Sequence, residues 1–185
     1  MSRPETTYAF IDSQNLNLGV KDLGWNLDFA KFRRYLSDKF GVRPNQAFLF
    51  IGYIPDNHDL YLLLQKIGYI YVFKPTLVLA DGKVKGDVDA ELVLHTMIEY
   101  PNFSKAIIVT GDGDFRCLVE YLLNKDKLDS VIAPNSRKFS SLLKSLGRPD
   151  RRIFHFLNGL DQKLGKIQKE KGAFRDETLQ GPFSS

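Results

Sequence analysis

Several short apolar runs recur along the chain, and none shows the strict alternation of a strand with one exposed face. They are rich in β-branched or aromatic residues, which is typical of strands buried on both faces. We therefore predict strands at residues 8–11, 47–54, 69–73, 106–109 and 130–133.

Segments of helix length separate these runs, and the first shows the clearest apolar stripe. Its apolar side chains at roughly helical spacing are Leu27, Phe29, Phe32, Leu36 and Phe40, and the last four are assigned to the core. The pattern predicts helices at residues 27–40, 59–67, 87–100, 115–123 and 136–146. Strands that alternate with helices indicate an α/β fold, a three-layer α/β/α sandwich around a mainly parallel sheet.

Two segments stand apart from this alternation. Residues 77–85, LVLADGKVK, hold an Asp-Gly pair between short apolar flanks, which predicts a β-hairpin that brings Lys85 beside Asp87. From residue 161 onward the chain is polar, with little apolar periodicity. We predict one domain over residues 1–158, followed at 159–185 by a peripheral helix and a mobile polar tail.

Composition narrows the class of protein. The chain has 185 residues, 43% hydrophobic and 26% charged, as expected for one globular domain. No apolar run approaches the roughly 20 residues of a membrane span, and the start lacks the apolar part of a signal peptide. We expect a cytoplasmic protein with no membrane partner. The single cysteine, Cys117, gives no disulfide, and we expect it to be a small core residue.

Carboxylates follow the predicted strands. Asp12 comes directly after the first strand, and Asp112 and Asp114 follow the strand at 106–109. Ligand sites of open α/β sheets lie at the carboxyl ends of the strands, so these side chains are expected to meet at one edge. The segment KGDVDAEL opens a helix and adds Asp87 and Asp89.

Such a cluster requires neutralisation, because like charges within a few Å raise each other's pKa. The usual partner is a divalent cation with oxygen ligands. The three scattered histidines and the lone cysteine do not favour zinc. The sequence therefore predicts a Mg²⁺ or Mn²⁺ site. Aspartate is also a favoured helix N-cap, so GDGD alone is equally compatible with a capping turn. Asp12 alone is compatible with an Asx-turn.

Three motifs, FIDSQNL, KGDVDAEL and TGDGDF, resemble the NYN domain family in their order and separation. The proteins of this family are LabA-like members of the PIN-domain nuclease superfamily. The resemblance covers roughly residues 6–156. It implies a PIN-like sandwich and divalent-metal-dependent ribonuclease activity. It also implies that Asp12, Asp89, Asp112 and Asp114 are the catalytic metal ligands. Asn15 and Thr110 match supporting residues, and Asp87 is an additional acid.

Cations beside the predicted site are candidates for binding the backbone of single-stranded RNA. They are Lys85, Arg116, Arg137 and Lys138. The alternative is that Arg116 is a solvated helix residue, and that Arg137 and Lys138 are surface cations after a helix cap at Asn135 or Ser136. Tyr53 and His58 follow another strand and could stack a base, although an ordinary edge position explains them as well.

His95 is a departure from the family pattern, because many relatives carry an acid six residues after the helix aspartate. We favour a plain helix-surface or semi-buried histidine, although weak metal binding or phosphate contact remains open. The alternative function is a non-catalytic RNA- or protein-binding module with a weakened site. A phosphatase or nucleotide hydrolase lacks support, because no P-loop motif occurs. The sequence leaves homo-oligomer formation open.

Overall fold

The chain folds around one six-stranded sheet in which every pairing is parallel. The computed structural model describes residues 5–52, 57–74, 77–78, 84–85, 89–147, 149 and 151–167. The strands of the sheet are β1 (Thr7–Asp12), β2 (Ala47–Gly52), β3 (Tyr69–Lys74), β6 (Lys105–Val109), β7 (Leu128–Ala133) and β8 (Phe154–Phe156). Two further strands, β4 (Leu77–Val78) and β5 (Val84–Lys85), form an antiparallel pair.

Helices connect the strands. They are α1 (Ser13–Lys21), α2 (Phe29–Phe40), α3 (His58–Lys66), α4 (Asp89–Ile98), α5 (Arg116–Asn124), α6 (Ser141–Lys144) and α7 (Asp161–Leu164). A 3₁₀ turn, Gly113–Phe115, precedes α5.

The sheet has one point where its order reverses. The strand order is β3-β2-β1-β6-β7-β8, so the chain builds outward from β1 in one direction and from β6 in the other. Ile11 pairs with Val109, which places Asp12 and Thr110 side by side as these two strands end. Ligands of open α/β sheets bind in the crevice at such a switch point. The topology therefore indicates a candidate ligand site at the ends of β1 and β6.

Helices cover both faces of the sheet, which confirms the predicted three-layer α/β/α sandwich. Along β6, Ile107 and Val109 face one buried cluster, while Ala106 and Ile108 face the other. The first cluster takes Leu16 of α1, Leu36 of α2, Leu64 of α3 and Leu164 of α7. The second takes Leu92 of α4, Leu118 of α5 and Leu143 of α6. Strands buried on both faces explain the continuous apolar runs.

Most predicted elements are present, with three differences. Helix α1 and strand β8 were not predicted. The helix expected at 136–146 begins only at Ser141, because Ser140 caps it by accepting a hydrogen bond from the Leu142 N–H. Cys117 was predicted to lie in the core, and this is wrong, since it is exposed on α5. Phe115, Leu118 and Leu122 take the inward face of that segment.

Parts of other predictions lie outside the described residues: 53–54 of the strand at 47–54, 87–88 of the helix at 87–100, the hairpin turn at 79–83, and 168–185 of the predicted peripheral helix and tail. The domain boundary after residue 158 stays a prediction. Within the described part of the chain, Leu164 is only 1% exposed and packs in the first core cluster.

Candidate active site

A cleft of about 460 Å³ opens at the switch point, between the end of β1 and the end of β6. Asp12, Asp89, Asp112 and Asp114 all line it. They come from three places in the chain: the end of β1 for Asp12, the start of α4 for Asp89, and the turn around Gly113 for Asp112 and Asp114. The structure thus brings the four aspartates of the three sequence motifs to one place.

Asp89, Asp112 and Asp114 form the open part of this acidic group. One carboxylate oxygen from each lies within 4.8 Å of the others. Asp89 and Asp112 are half-buried and Asp114 is exposed. Three oxygen donors without thiolate or imidazole suit a hard cation such as Mg²⁺ or Mn²⁺. The donor set therefore fits the divalent metal that the sequence predicts.

Capping and clustering occur together at the GDGD segment. Asp112 accepts a hydrogen bond from the Asp114 N–H at 3.1 Å and so caps the 3₁₀ turn. Its carboxylate lines the cleft as well. The two interpretations of this segment are compatible, because a carboxylate has two oxygens and a capping bond uses one of them.

Asp12 lies deeper than the other three and is 5% exposed. It caps α1 by accepting a hydrogen bond from the Asn15 N–H at 3.0 Å, and the Thr110 hydroxyl donates to its other oxygen at 3.4 Å. Burial raises the pKa of Asp12 to about 6, with a smaller upward contribution from the nearby Asp112, and the hydrogen bonds to Asn15 and Thr110 act in the opposite direction.

Asn15 and Thr110 connect the two central strands at this edge. The Asn15 side-chain oxygen accepts a hydrogen bond from the Gly111 N–H at 2.8 Å. The Thr110 hydroxyl also accepts from the Asp112 N–H at 3.2 Å. These contacts fix the backbone on which Asp12 and Asp112 stand, which is the arrangement expected of residues that orient metal ligands.

The predicted substrate-binding cations differ in placement. Lys138 lines the cleft, where its ammonium group lies 2.6 Å from a carboxylate oxygen of Asp22. Arg116 pairs with Glu120 at 3.2 Å along α5. Arg137 is exposed, and its backbone N–H closes a turn by donating a hydrogen bond to the Asn135 side chain. Neither arginine is among the cleft-lining residues. The Lys85 side chain and Asp87 lie outside the described residues.

The histidines near the site are placed as packing or surface residues. The His95 ring on α4 is half-buried and contacts the Phe50 ring, with centroids 5.8 Å apart. His95 does not line the cleft. His58 is exposed at the start of α3, and Tyr53 lies outside the described residues.

One wall of the cleft was missed by sequence reasoning because α1 was missed. Gln14, Leu18, Gly19 and Asp22 line the cleft together with Asn15. Their spacing places them on neighbouring turns of one helix face. The available signal was Asp12 as an N-cap, followed by Leu16 and Val20 four residues apart, which now pack in the core.

The family match of this parallel α/β/α sandwich indicates a nuclease-like fold. The NYN domain matches residues 6–148, and the chain belongs to the NYN domain family, which is nuclease-related. No curated protein matches the chain. Its fold is similar to that of a crystallised Vibrio parahaemolyticus protein of unknown function. That match has a TM-score of 0.66 and 22% identity, and it covers 86% of this chain and 98% of the other.

Within the described residues, no helix combines the length and the apolar character needed to span a bilayer.

Proposed function

We propose that this protein is a divalent-metal-dependent ribonuclease that hydrolyses phosphodiester bonds of single-stranded RNA. We also place it among the LabA-like members of the PIN-domain nuclease superfamily. The observation that carries the proposal is the convergence of Asp12, Asp89, Asp112 and Asp114 on one cleft of an NYN domain. Nucleases with such clusters need oxygen ligands for a cation and an open face for the strand, and this cleft offers both.

Each acid has a role that follows from its placement. Asp89, Asp112 and Asp114 would hold Mg²⁺ or Mn²⁺, because their oxygens lie close together and open to solvent. Asp12 forms the buried side of the same site. A bound cation would supply Lewis-acid activation of the scissile phosphate and of water. Thr110 and Asn15 keep the carboxylates in position through the bonds they make to Asp12 and Gly111.

The cleft lining also bears on the products. None of the described cleft-lining residues is a histidine, so the cleft does not present the histidine pair of ribonucleases that use the substrate's own 2′-OH. With water as nucleophile, a new O–P bond forms and the bond to the 3′-oxygen breaks. The leaving oxygen takes up a proton, and the products carry a 5′-phosphate and a 3′-hydroxyl. The preference for RNA then depends on binding or shape.

The test is digestion of an end-labelled single-stranded RNA with Mn²⁺ or Mg²⁺, followed by mapping of the new ends. We expect 5′-phosphate and 3′-hydroxyl termini, and cleavage that persists when the cut site carries a 2′-methoxy group of tolerated size. Asp112→Asn should abolish cleavage. Asp126→Asn is a matched control, since Asp126 is an exposed aspartate paired with Lys105 before β7, away from the cleft.

Two outcomes would overturn the proposal: 2′,3′-cyclic phosphate products, or activity that survives both EDTA and Asp112→Asn. RNA binding without cleavage, with a cation demonstrably bound, would favour the non-catalytic module instead. The sequence feature that favoured that alternative was His95. Because its ring packs against Phe50 outside the cleft, we base no separate proposal on it.

A further inference from the structure

The cleft follows the length of α1. Gln14 and Asn15 line it on the first turn, Leu18 and Gly19 on the next, and Asp22 at the C-cap. At 1.5 Å per residue, Asp22 lies about 15 Å along the helix from the N-cap Asp12. That length matches the rise of about four stacked nucleotides at ~3.4 Å each. The acid cluster occupies one end of the cleft, and Asp22 marks the other.

The opposite wall comes from the loop after β7. Pro134, Asn135 and Lys138 line the cleft there. Two hydrogen bonds fix the loop: the Arg137 N–H donates to the Asn135 side chain, and the Ser136 N–H donates to Asn158, both at 2.9 Å. Lys138 is therefore presented from an anchored backbone.

Leu18 gives the α1 wall an apolar part. Its side chain is 43% exposed and lines the cleft. An exposed apolar side chain between the acid cluster and a cation offers a surface for the face of a base. The cleft thus presents cation ligands, an apolar surface and an ammonium group along its length.

Lys138 and Asp22 close the far end of the cleft as an ion pair. The 2.6 Å contact joins the two walls, yet the side chains are 67% and 39% exposed. Exposed ion pairs contribute little net stability, so another anion can replace the Asp22 carboxylate at small cost. A phosphodiester in the cleft would meet the same ammonium group.

We propose that Lys138 is a phosphate subsite about four nucleotides from the acid cluster, and that Asp22 occupies it in the free protein as an internal competitor. This inference rests on the proposed function, since it assumes a nucleic-acid strand in the cleft. RNA binding exchanges the Asp22 carboxylate for a backbone phosphate. Asp22 thereby lowers the affinity for strands that fill the whole cleft.

The test measures binding of labelled single-stranded RNA by fluorescence anisotropy, in Ca²⁺, with the intactness of the probe checked after each titration. Asp22→Asn should bind an octanucleotide more tightly by up to about fivefold, the factor that corresponds to an exposed ion pair. Lys138→Ala should bind it more weakly. In the Lys138→Ala background, Asp22→Asn should give no further gain, because its effect acts through the lysine.

Salt and length provide independent readouts. In the wild type, the RNA phosphate that contacts Lys138 releases a cation, but the displaced Asp22 carboxylate takes one up. Lys138 therefore adds little to the salt dependence of RNA binding. Asp22→Asn should steepen the slope of log affinity against log salt by up to about 0.7, the value for one phosphate of a single strand. The gain should be absent for a dinucleotide, which is too short to reach Lys138. Asp126→Asn removes the same charge from an exposed aspartate outside the cleft, one that pairs with Lys105 and Arg151, and it should change nothing.

The outcomes separate this inference from the proposed function. Tighter binding by Asp22→Asn without any cleavage by the wild type would support the subsite and remove the ribonuclease proposal. Cleavage that depends on Asp112, with wild-type affinity in both Asp22→Asn and Lys138→Ala, would overturn the subsite alone. A gain that persists without Lys138, or that is equal for a dinucleotide, would show a general charge effect and also overturn it. No binding of RNA by any variant would overturn both.

Discussion

Asp12 differs from the other described aspartates that line the cleft because it alone is buried. Burial holds its pKa at about 6, above the value of about 4 for an unfolded chain. Between these two values the native state binds a proton that the unfolded state has lost. The contribution of Asp12 to the free energy of unfolding therefore falls as pH rises through this window, and its full cost is present above pH 6.

Asp12→Asn should consequently stabilise the metal-free protein. An asparagine can still cap α1 through its side-chain oxygen, and it carries no charge to desolvate. In EDTA at pH 7.5 we expect a gain of about 1–3 kcal/mol, which should shrink as the pH is lowered towards 4.5. Thermal or urea unfolding across this range measures the effect.

The same change at Asp28 is a matched control. Asp28 caps α2 by accepting hydrogen bonds from the Ala30 and Lys31 N–H groups, but it does not line the cleft. Asp28→Asn should bring no comparable gain at neutral pH. If Asp12→Asn gave the same stability difference at every pH, burial of a charged Asp12 could not be its cause.

At the scale of elements, α1 joins the acid cluster to the loop after β7, and Gly19 sets how closely they approach. A Cβ added to Gly19 would lie 2.5 Å from Cγ and 2.8 Å from Cβ of Pro134. Neither atom can swing away as the end of a flexible side chain could. The glycine is therefore required by the packing of the helix against the loop.

Gly19→Ala should destabilise the protein although alanine is the better helix former. Overpacking lowers the free energy of unfolding by about 1–3 kcal/mol, whereas the higher helix propensity of alanine raises it by at most about 1 kcal/mol. We expect a net loss in urea unfolding, together with weaker RNA binding because the two cleft walls move apart.

A double-mutant cycle provides the control. Pro134→Gly removes both contacting atoms, so Gly19→Ala should cost less in that background than in the wild type. An equal cost in both backgrounds would place the effect elsewhere in α1. A more stable Gly19→Ala would contradict the close packing itself.

The sequence allowed most elements to be predicted, because strands buried on both faces produce continuous apolar runs. It failed where local signals are weak. Helix α1 has 9 residues with a glycine and two asparagines, and it depends on its Asp12 cap and on packing of Leu16 and Val20. Strand β8 has only 3 residues. The Cys117 position was missed because helix phase, rather than residue type, decides which side chains of α5 face inward.

The candidate site was predictable to the same degree. Acids that directly follow strands pointed to Asp12, Asp112 and Asp114, and the resemblance of KGDVDAEL to the NYN pattern pointed to Asp89. The individual environments of these aspartates could not be predicted. The burial of Asp12, its contact with Thr110 and the pairing of Lys138 with Asp22 depend on side-chain packing across elements distant in sequence.

At the scale of the whole molecule, the charge distribution favours a bound cation. The chain has a formal net charge of +4, yet the described residues that line the cleft include five aspartates and a single lysine. Only Asp22 among them has that lysine as its partner. A cation held by Asp89, Asp112 and Asp114 would relieve repulsion among their carboxylates.

Binding of Mg²⁺ or Mn²⁺ should thus raise the melting temperature. A ligand that binds only the native state adds about 2.7 kcal/mol at 100 times its Kd, or roughly 5–10 °C for a chain of this size. Asp112→Asn should remove most of that shift, yet it should remain folded, because asparagine can still cap the turn at Asp114. Without metal it should melt above the wild type, since one of the repelling charges is gone. Asp126→Asn should keep the full shift. An equal shift in Asp112→Asn, measured by scanning fluorimetry over a metal titration, would show that the cation binds elsewhere.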